Sequence, residues 1–269
     1  MTPTATEERP PSPGIDPRLR ARRVAVRRDE GRRRLHLLVA LGGAAVVVAA
    51  GVGVALSPLF DVDVVRVEGA VHQARPSVLA AGGVARGDHL VLLDGGGAAA
   101  AIEVLPWVDE AEVDRSWPGT VEITVVERVP VAGLAQPDGR VALVDADRRV
   151  LDVVAAEGAP PVVPVRGTPA VGRAGSEAPP GSAGAVALVA GLPDAVRPLV
   201  EVVDVDEDGS LSLALRLPDG GPPAAVLLGE GADLGPKLSS LATIVATVLL
   251  DDLETIDLRV PSTPALTRR

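Results

Sequence analysis

The stretch LPWVDEAEVDRSWPGTVEITVVERVPVA, Leu105–Ala132, decides how the body of this chain folds. Ala111, Val113 and Arg115 alternate with Glu112 and Asp114, and Val121, Ile123 and Val125 alternate with Glu122 and Thr124. Successive side chains of a strand point to opposite faces, so each run reads as a strand with one buried face. Trp117-Pro118-Gly119 between them reads as a turn, which makes the pair a β-hairpin. The acids Asp109, Glu110, Glu112 and Asp114 then lie on solvated ground. A catalytic carboxylate pair needs two environments that split its pKa values, and a row of solvated acids offers only one.

Working toward the N-terminus, Pro106 stops a helix over Ala98–Leu105 that Asp94 can cap. Pro76 opens a shorter helix, Ser77–Ala81, and Gly82-Gly83 close it, the expected placing of proline and glycine at helix ends. Phe60–Val67 is valine-rich and reads as a strand that Gly69 ends. The order is β-α-α-β-β, which bounds a small domain at 57–128.

Before this domain lies LHLLVALGGAAVVVAAGVGVAL, Leu35–Leu56, 22 residues without a formal charge. As a helix it is about 33 Å long, against a hydrocarbon core about 30 Å thick. It lacks the polar stripe of a soluble core helix, so it predicts a transmembrane helix. Nine arginines fall between Arg18 and Arg34, and none follows the span until Arg66. The positive-inside rule then keeps residues 1–34 as a basic cytoplasmic tail and puts the body outside, a single-pass type II arrangement. A cleaved signal would have a shorter apolar core and a small-residue cleavage site, which Leu56–Phe60 does not supply. Arg33-Arg34 is only a faint twin-arginine pattern. Up to Leu56 there are ten arginines and five acids; beyond it, sixteen basic and thirty-one acidic residues. A basic run abutting a span is a topology determinant and a contact for membrane lipid, so no nucleic-acid partner is expected. Met1–Pro17 is expected to be disordered.

Beyond the hairpin the pattern is β-rich. Val131–Leu134, Val141–Val144, Val150–Val153, Val162–Val165, Val200–Val205, Leu211–Leu217 and Ala224–Leu228 read as strands, and Gly167–Gly184 as a loop. Ala185–Leu192 reads as a helix. A second helix runs from Pro236 through Leu250 with Leu238, Leu241, Ile244, Val245 and Leu249 on one face. Thr255–Val260 is the expected last strand of a β domain at 129–260, with a disordered tail at 261–269.

The chain has no cysteine and three histidines, which excludes a disulfide framework, a thiolate metal site and a cysteine nucleophile. Asp204-x-Asp206-x-Asp208-Gly209 copies the first half of a calcium loop, but Leu215 stands where the bidentate glutamate is needed, so a hairpin turn is expected. Gly229–Lys237 has the wrong spacing for a phosphate loop and reads as a helix start. No catalytic, cofactor or metal constellation is found, and no small-molecule substrate is implied.

VRVEG (Val65–Gly69), GGVARGDHLVLLD (Gly82–Asp94) and Leu105–Ala132 follow one another after an N-in span. In that order they resemble the POTRA domain of the FtsQ/DivIB family of bacterial cell division proteins. Val144–Val150 (VDADRRV) resembles a hairpin of that family's second domain, with Arg148 where glycine is common, and IDLR (Ile256–Arg259) resembles its end. The resemblance implies an α+β fold: one N-terminal transmembrane helix, a POTRA domain, and a C-terminal β-rich domain with flanking helices. It implies a non-enzymatic divisome scaffold in the cytoplasmic membrane at the septum, linking early and late division proteins by binding FtsB/DivIC and FtsL. Strand addition to the last strand would be the means. The partner-binding residues it implies are Asp257, Leu258, Arg259 and Val260, with Lys237 and Leu241 on the preceding helix. The competing reading is a membrane-anchored envelope enzyme or substrate-binding protein, which would require a deep pocket of convergent polar groups.

Overall fold

The computed structural model describes residues 17–55, 57–218, 220–248 and 250–269, with side chains described from Arg34 onward except Ala55. The expected disorder before Pro17, the end of the span at Leu56 and the place of Leu249 on its helix lie outside the described residues. The chain divides into two compact units, residues 1–60 and 61–269.

The first unit is a single helix, α1 (Pro17–Ala55), of 39 residues. Its apolar stretch, Arg34–Val54, is 21 residues long with mean hydropathy 2.4, and none of it is buried against protein. The helix begins earlier than the span because arginine and alanine, both strong helix formers, fill the basic segment.

The second unit opens with β1 (Val64–Glu68), α2 (Arg75–Gly82), α3 (Gly95–Ile102), β2 (Val108–Ser116) and β3 (Thr120–Glu127). The strands lie in the order β1-β3-β2, with β1 parallel and β2 antiparallel to β3. The local signals act as expected. Gly83, at φ 62°, closes α2 by donating its N–H to the Leu79 carbonyl. The Asp94 carboxylate accepts the Gly97 N–H at 3.0 Å and caps α3. Alternation holds along β3, where Val121, Ile123 and Val125 are buried against Val65, Val78, Leu90 and Ile102. It slips in β2, where a register shift between Val108 and Glu110 resets the pleat. Val108 and Ala111 are buried there, while Arg115 stays exposed.

The remainder forms one nine-stranded sheet from β4 (Ala132–Ala135), β5 (Arg140–Val144), β6 (Val150–Ala155), β7 (Val163–Arg166), β8 (Val200–Val205), β9 (Leu211–Leu215), β10 (Ala224–Gly229), β11 (Leu253–Asp257) and β12 (Ala265–Arg268). The spatial order is β12-β11-β10-β9-β8-β7-β4-β5-β6. Parallel neighbours need a crossover connection. Accordingly α4 (Ala183–Ala190) joins β7 to β8 and α5 (Leu234–Thr247) joins β10 to β11, each across a parallel pair. Leu188 and Val189 of α4 and Leu238, Leu241 and Ile244 of α5 pack into the core of the sheet with Leu213, Val226 and Ile256. Asp206–Gly209 is a tight turn between β8 and β9, with the Gly209 N–H on the Asp206 carbonyl.

Several expected bounds shift: Pro58–Phe60 is a helical turn and the first strand begins at Val64, α3 runs from Gly95 and ends at Ile102 before Pro106 is reached, and α5 ends at Thr247. One expectation fails outright. The segment at 261–269 is not a loose tail: after a turn closed by the Thr263 N–H on the Val260 carbonyl, β12 pairs antiparallel with β11, Asp257 opposite Ala265 and Ile256 opposite Leu266. The last strand is therefore β12, and β11 ends at Asp257 instead of Val260. Four residues between Pro264 and the terminal Arg269 are too short to show a period, so the pattern carried no strand signal.

Candidate functional site: the outer margin of the large sheet

The margin starts from β11. Leu253, Ile256 and Leu258 are fully buried, and the Leu258 N–H donates to the Leu227 carbonyl at 2.8 Å, which extends the β10 contact past the end of the strand. Asp257 faces the other way. It takes the Arg259 Nε at 3.0 Å and Nη2 at 2.6 Å, a forked ion pair on the surface. The Arg259 side chain and backbone N–H hold the Asp257 carboxyl below the usual carboxylate range, and Asp257 in turn raises the guanidinium. The Arg259 stem lies over Gly229, which sits at φ 64°; a Cβ there would come within 3.1 Å of Arg259 Cγ. A glycine fits both the left-handed backbone and the close approach.

α5 backs this margin. Lys237, the chain's single lysine, is buried and donates from Nζ to the Glu230 carbonyl at 2.8 Å. It shares a surface hollow of about 430 Å³ with Arg259 and Pro261. The Ser240 hydroxyl donates to the Pro261 carbonyl at 2.9 Å, tying the helix to the turn that leads into β12.

The six residues singled out from the sequence therefore divide. Asp257, Arg259 and Val260 lie together at the surface, Val260 being 57% exposed. Leu241 and Leu258 are in the core, and Lys237 is buried with its charge on a backbone carbonyl. The sequence reading missed β12 itself. All four of its residues are exposed, and among the described residues it is the outermost strand on this side. It is pinned at its end, where the Arg268 guanidinium reaches the Asp251 carbonyl at 2.7 Å and the Arg269 N–H the Asp252 carbonyl at 2.9 Å. An exposed outermost strand presents a row of backbone groups on which another strand can pair.

No cluster of three or more metal-ligating side chains occurs among the described residues. Comparison with known proteins gives the same picture in both halves of the body. Residues 60–128 match the model of the POTRA domain, FtsQ-type, and residues 133–259 match that of cell division protein FtsQ/DivIB, C-terminal. The chain belongs to the FtsQ/DivIB family. Among its relatives, cell division protein FtsQ of Mycobacterium leprae (strain Br4923) is 31% identical over 218 residues, 80% of this chain and 59% of that protein. Those of Corynebacterium glutamicum and of Anaeromyxobacter sp. (strain K) are 32% and 34% identical over 36% and 41% of the chain, and 45% and 41% of their own lengths. The chain thus spans less than two thirds of the length of the curated relatives it matches. The FtsQ/DivIB C-terminal match stops at Arg259, so β12 lies just beyond the stretch on which the resemblance rests.

Proposed function

We propose that this chain is a membrane-anchored scaffold of the division septum, with its N-terminus in the cytoplasm and its body outside. The body joins early to late division proteins by holding FtsB/DivIC and FtsL. Family membership supports the division role, and the arginines ahead of one long apolar helix support the orientation. The observation that carries the mode of binding is the placement of β12: a short, fully exposed strand at the outer margin, beside the surface pair Asp257–Arg259. A strand from a partner adds to it through main-chain hydrogen bonds, while side chains such as Leu266 and Val260 give selectivity. Leu241 and Leu258 serve this surface indirectly, by fixing α5 and β11 behind it.

The test is site-specific photocrosslinking in dividing cells, with the probe at Leu266 in one strain and at Val64, on the POTRA domain, in another. Crosslinks to FtsB/DivIC at Leu266 and none at Val64 are expected. Crosslinks at Val64 alone would move the partner to the POTRA domain and defeat the strand-addition reading.

A further inference from the structure

On the helical side of the POTRA domain, the end of α2, the turn after it and the start of α3 line an open hollow of about 590 Å³. Four of its ten lining residues are glycines, so much of its wall is bare backbone. The domain's own packing keeps it bare. A Cβ on Gly97 would come within 2.5 Å of Asp94 Oδ2, and one on Gly82 within 3.0 Å of Ile102 Cδ1. The short helical turn Leu90–Leu92 sends Leu90 fully into the core and holds Leu92 out at the hollow, 69% exposed.

The polar side chains that line the hollow all accept hydrogen bonds. Asp88 Oδ2 takes the Ala85 N–H at 2.8 Å and Asp94 Oδ1 the Gly97 N–H at 3.0 Å, which leaves one oxygen on each carboxylate with no bond among the described residues. His89 meets Asp61 through Nδ1 at 2.7 Å. A carboxylate only accepts, so Nδ1 carries the hydrogen and Nε2 of the neutral ring is an acceptor. Among the described residues no lysine or arginine lines the hollow. The N-terminus of α3 would draw an anion, but the Asp94 carboxylate already occupies it. What is left is acceptor capacity beside an exposed leucine and a bare wall. A cation rich in N–H groups, with an apolar neighbour, satisfies both.

We propose that this hollow is a docking site for a basic segment of a partner protein. Arginine or lysine side chains of that segment donate to the free oxygens of Asp88 and Asp94 and to Nε2 of His89, and an aliphatic residue beside them covers Leu92. Arginine suits the site better, because its guanidinium presents five donors in a fixed fork. The body draws such a segment from a distance, since the residues beyond Leu56 include sixteen basic and thirty-one acidic ones. The hollow then selects among basic segments by the apolar neighbour. It belongs to the POTRA domain and not to the β12 margin, so the inference stands whether or not strand addition holds.

Fluorescence anisotropy tests it, with the full-length chain in phosphatidylcholine nanodiscs and a fluorescein-labelled peptide of three Arg-Leu repeats as the probe. A peptide of three Arg-Gly repeats is the comparison. The Arg-Leu peptide should bind the more tightly. The paired change D88N/D94N keeps an acceptor for both backbone N–H groups and a good helix cap, and should weaken binding roughly tenfold. L92S alters an exposed residue, so the fold is retained, and it should bring the Arg-Leu peptide down to the level of the Arg-Gly one. E110Q/E112Q removes the same charge from exposed positions of β2 and should leave binding nearly unchanged. A loss for D88N/D94N no larger than for E110Q/E112Q would mean attraction to net charge alone and overturns the proposal. So does an Arg-Leu peptide that binds no tighter than Arg-Gly.

Discussion

The two margins of the nine-stranded sheet are built in opposite ways. At the β5–β6 margin, Trp107 packs on Leu143 and Leu151, and its ring stacks on His72 with centroids 4.3 Å apart. Arg128 spans the same junction: its backbone N–H holds the Trp107 carbonyl at 2.8 Å, and its Nη1 holds the buried Asp145 at 2.8 Å. Arg149 reaches back to the Val104 carbonyl at 2.6 Å. The segment around Ser176 covers the start of β6, with the Val150 N–H on the Ser176 carbonyl at 2.8 Å. The β11–β12 margin has no such cover among the described residues, and its outermost strand is exposed throughout. At its start the β6 edge is already paired by the chain's own residues, whereas the β12 edge is held only from behind and can pair again. The contrast marks the POTRA junction as a structural element and, on the function proposed above, the far margin as the recognition element.

The largest effect that would break this contrast lies at the junction. Trp107→Ala removes a ring that is 8% exposed, and it should cost about 3–5 kcal/mol, the usual range for emptying an aromatic core site. Thermal unfolding of the full chain should then show the POTRA domain melting apart from the β domain. A single transition at the wild-type temperature would mean that the junction does not hold the domains together. Next in size is Leu241→Ala, behind the open margin. Leu241 is fully buried, so truncation should cost about 2–5 kcal/mol in denaturant titrations and weaken partner capture only as far as β11 is disturbed.

Smaller again is the effect of Glu127, the carboxylate beside Trp107. Burial raises its pKa. The Gln73 N–H, the His72 ring and the His72 and Val71 N–H groups lower it by more, so the net value is depressed below the ordinary 4.5. A carboxyl depressed in the folded state contributes stability that is present above its unfolded pKa and lost as pH falls through the folded one. Glu127→Gln should therefore cost about 1–3 kcal/mol at neutral pH through the donors it leaves poorly paired. It should also flatten the decline in stability below about pH 4.5. An unchanged acid limb would detach Glu127 from the junction.

How much of this was legible in the residues follows from what each element must bury. β3 and α5 announce themselves because Val121, Ile123 and Val125, or Leu238, Leu241 and Ile244, repeat at the period of a strand or a helix. The caps at Asp94 and Gly83 were equally plain, since each meets a local backbone demand. Alternation turns Ile256 and Leu258 the opposite way from Asp257 and Arg259, and the structure accordingly buries Leu258, which the resemblance counts among the partner contacts. β12 was not legible: Ala265–Arg268 buries nothing, so it has no hydrophobic period, and it exists because β11 offers it an edge. The POTRA junction was equally hidden. Arg128 and Asp145 lie 17 residues apart in the chain and Trp107 lies further upstream, so nothing local marks the three as neighbours.

The smallest effect on stability should carry the largest effect on binding. In an antiparallel strand successive N–H groups point alternately toward and away from the neighbouring strand. Of Leu266→Pro and Thr267→Pro, one therefore removes a bond to β11 and the other an outward donor. Since β12 is exposed throughout, the inward loss should cost about 0.5–1.5 kcal/mol, the net worth of one backbone hydrogen bond. The outward loss should stay within roughly 0.5 kcal/mol, as for most surface changes. Both variants should lose FtsB/DivIC capture at least tenfold, because proline interrupts the ladder a partner strand would extend. Were the outward variant to bind normally while the inward one did not, the partner would be reading side chains on a properly seated β12, and main-chain pairing would have to be abandoned.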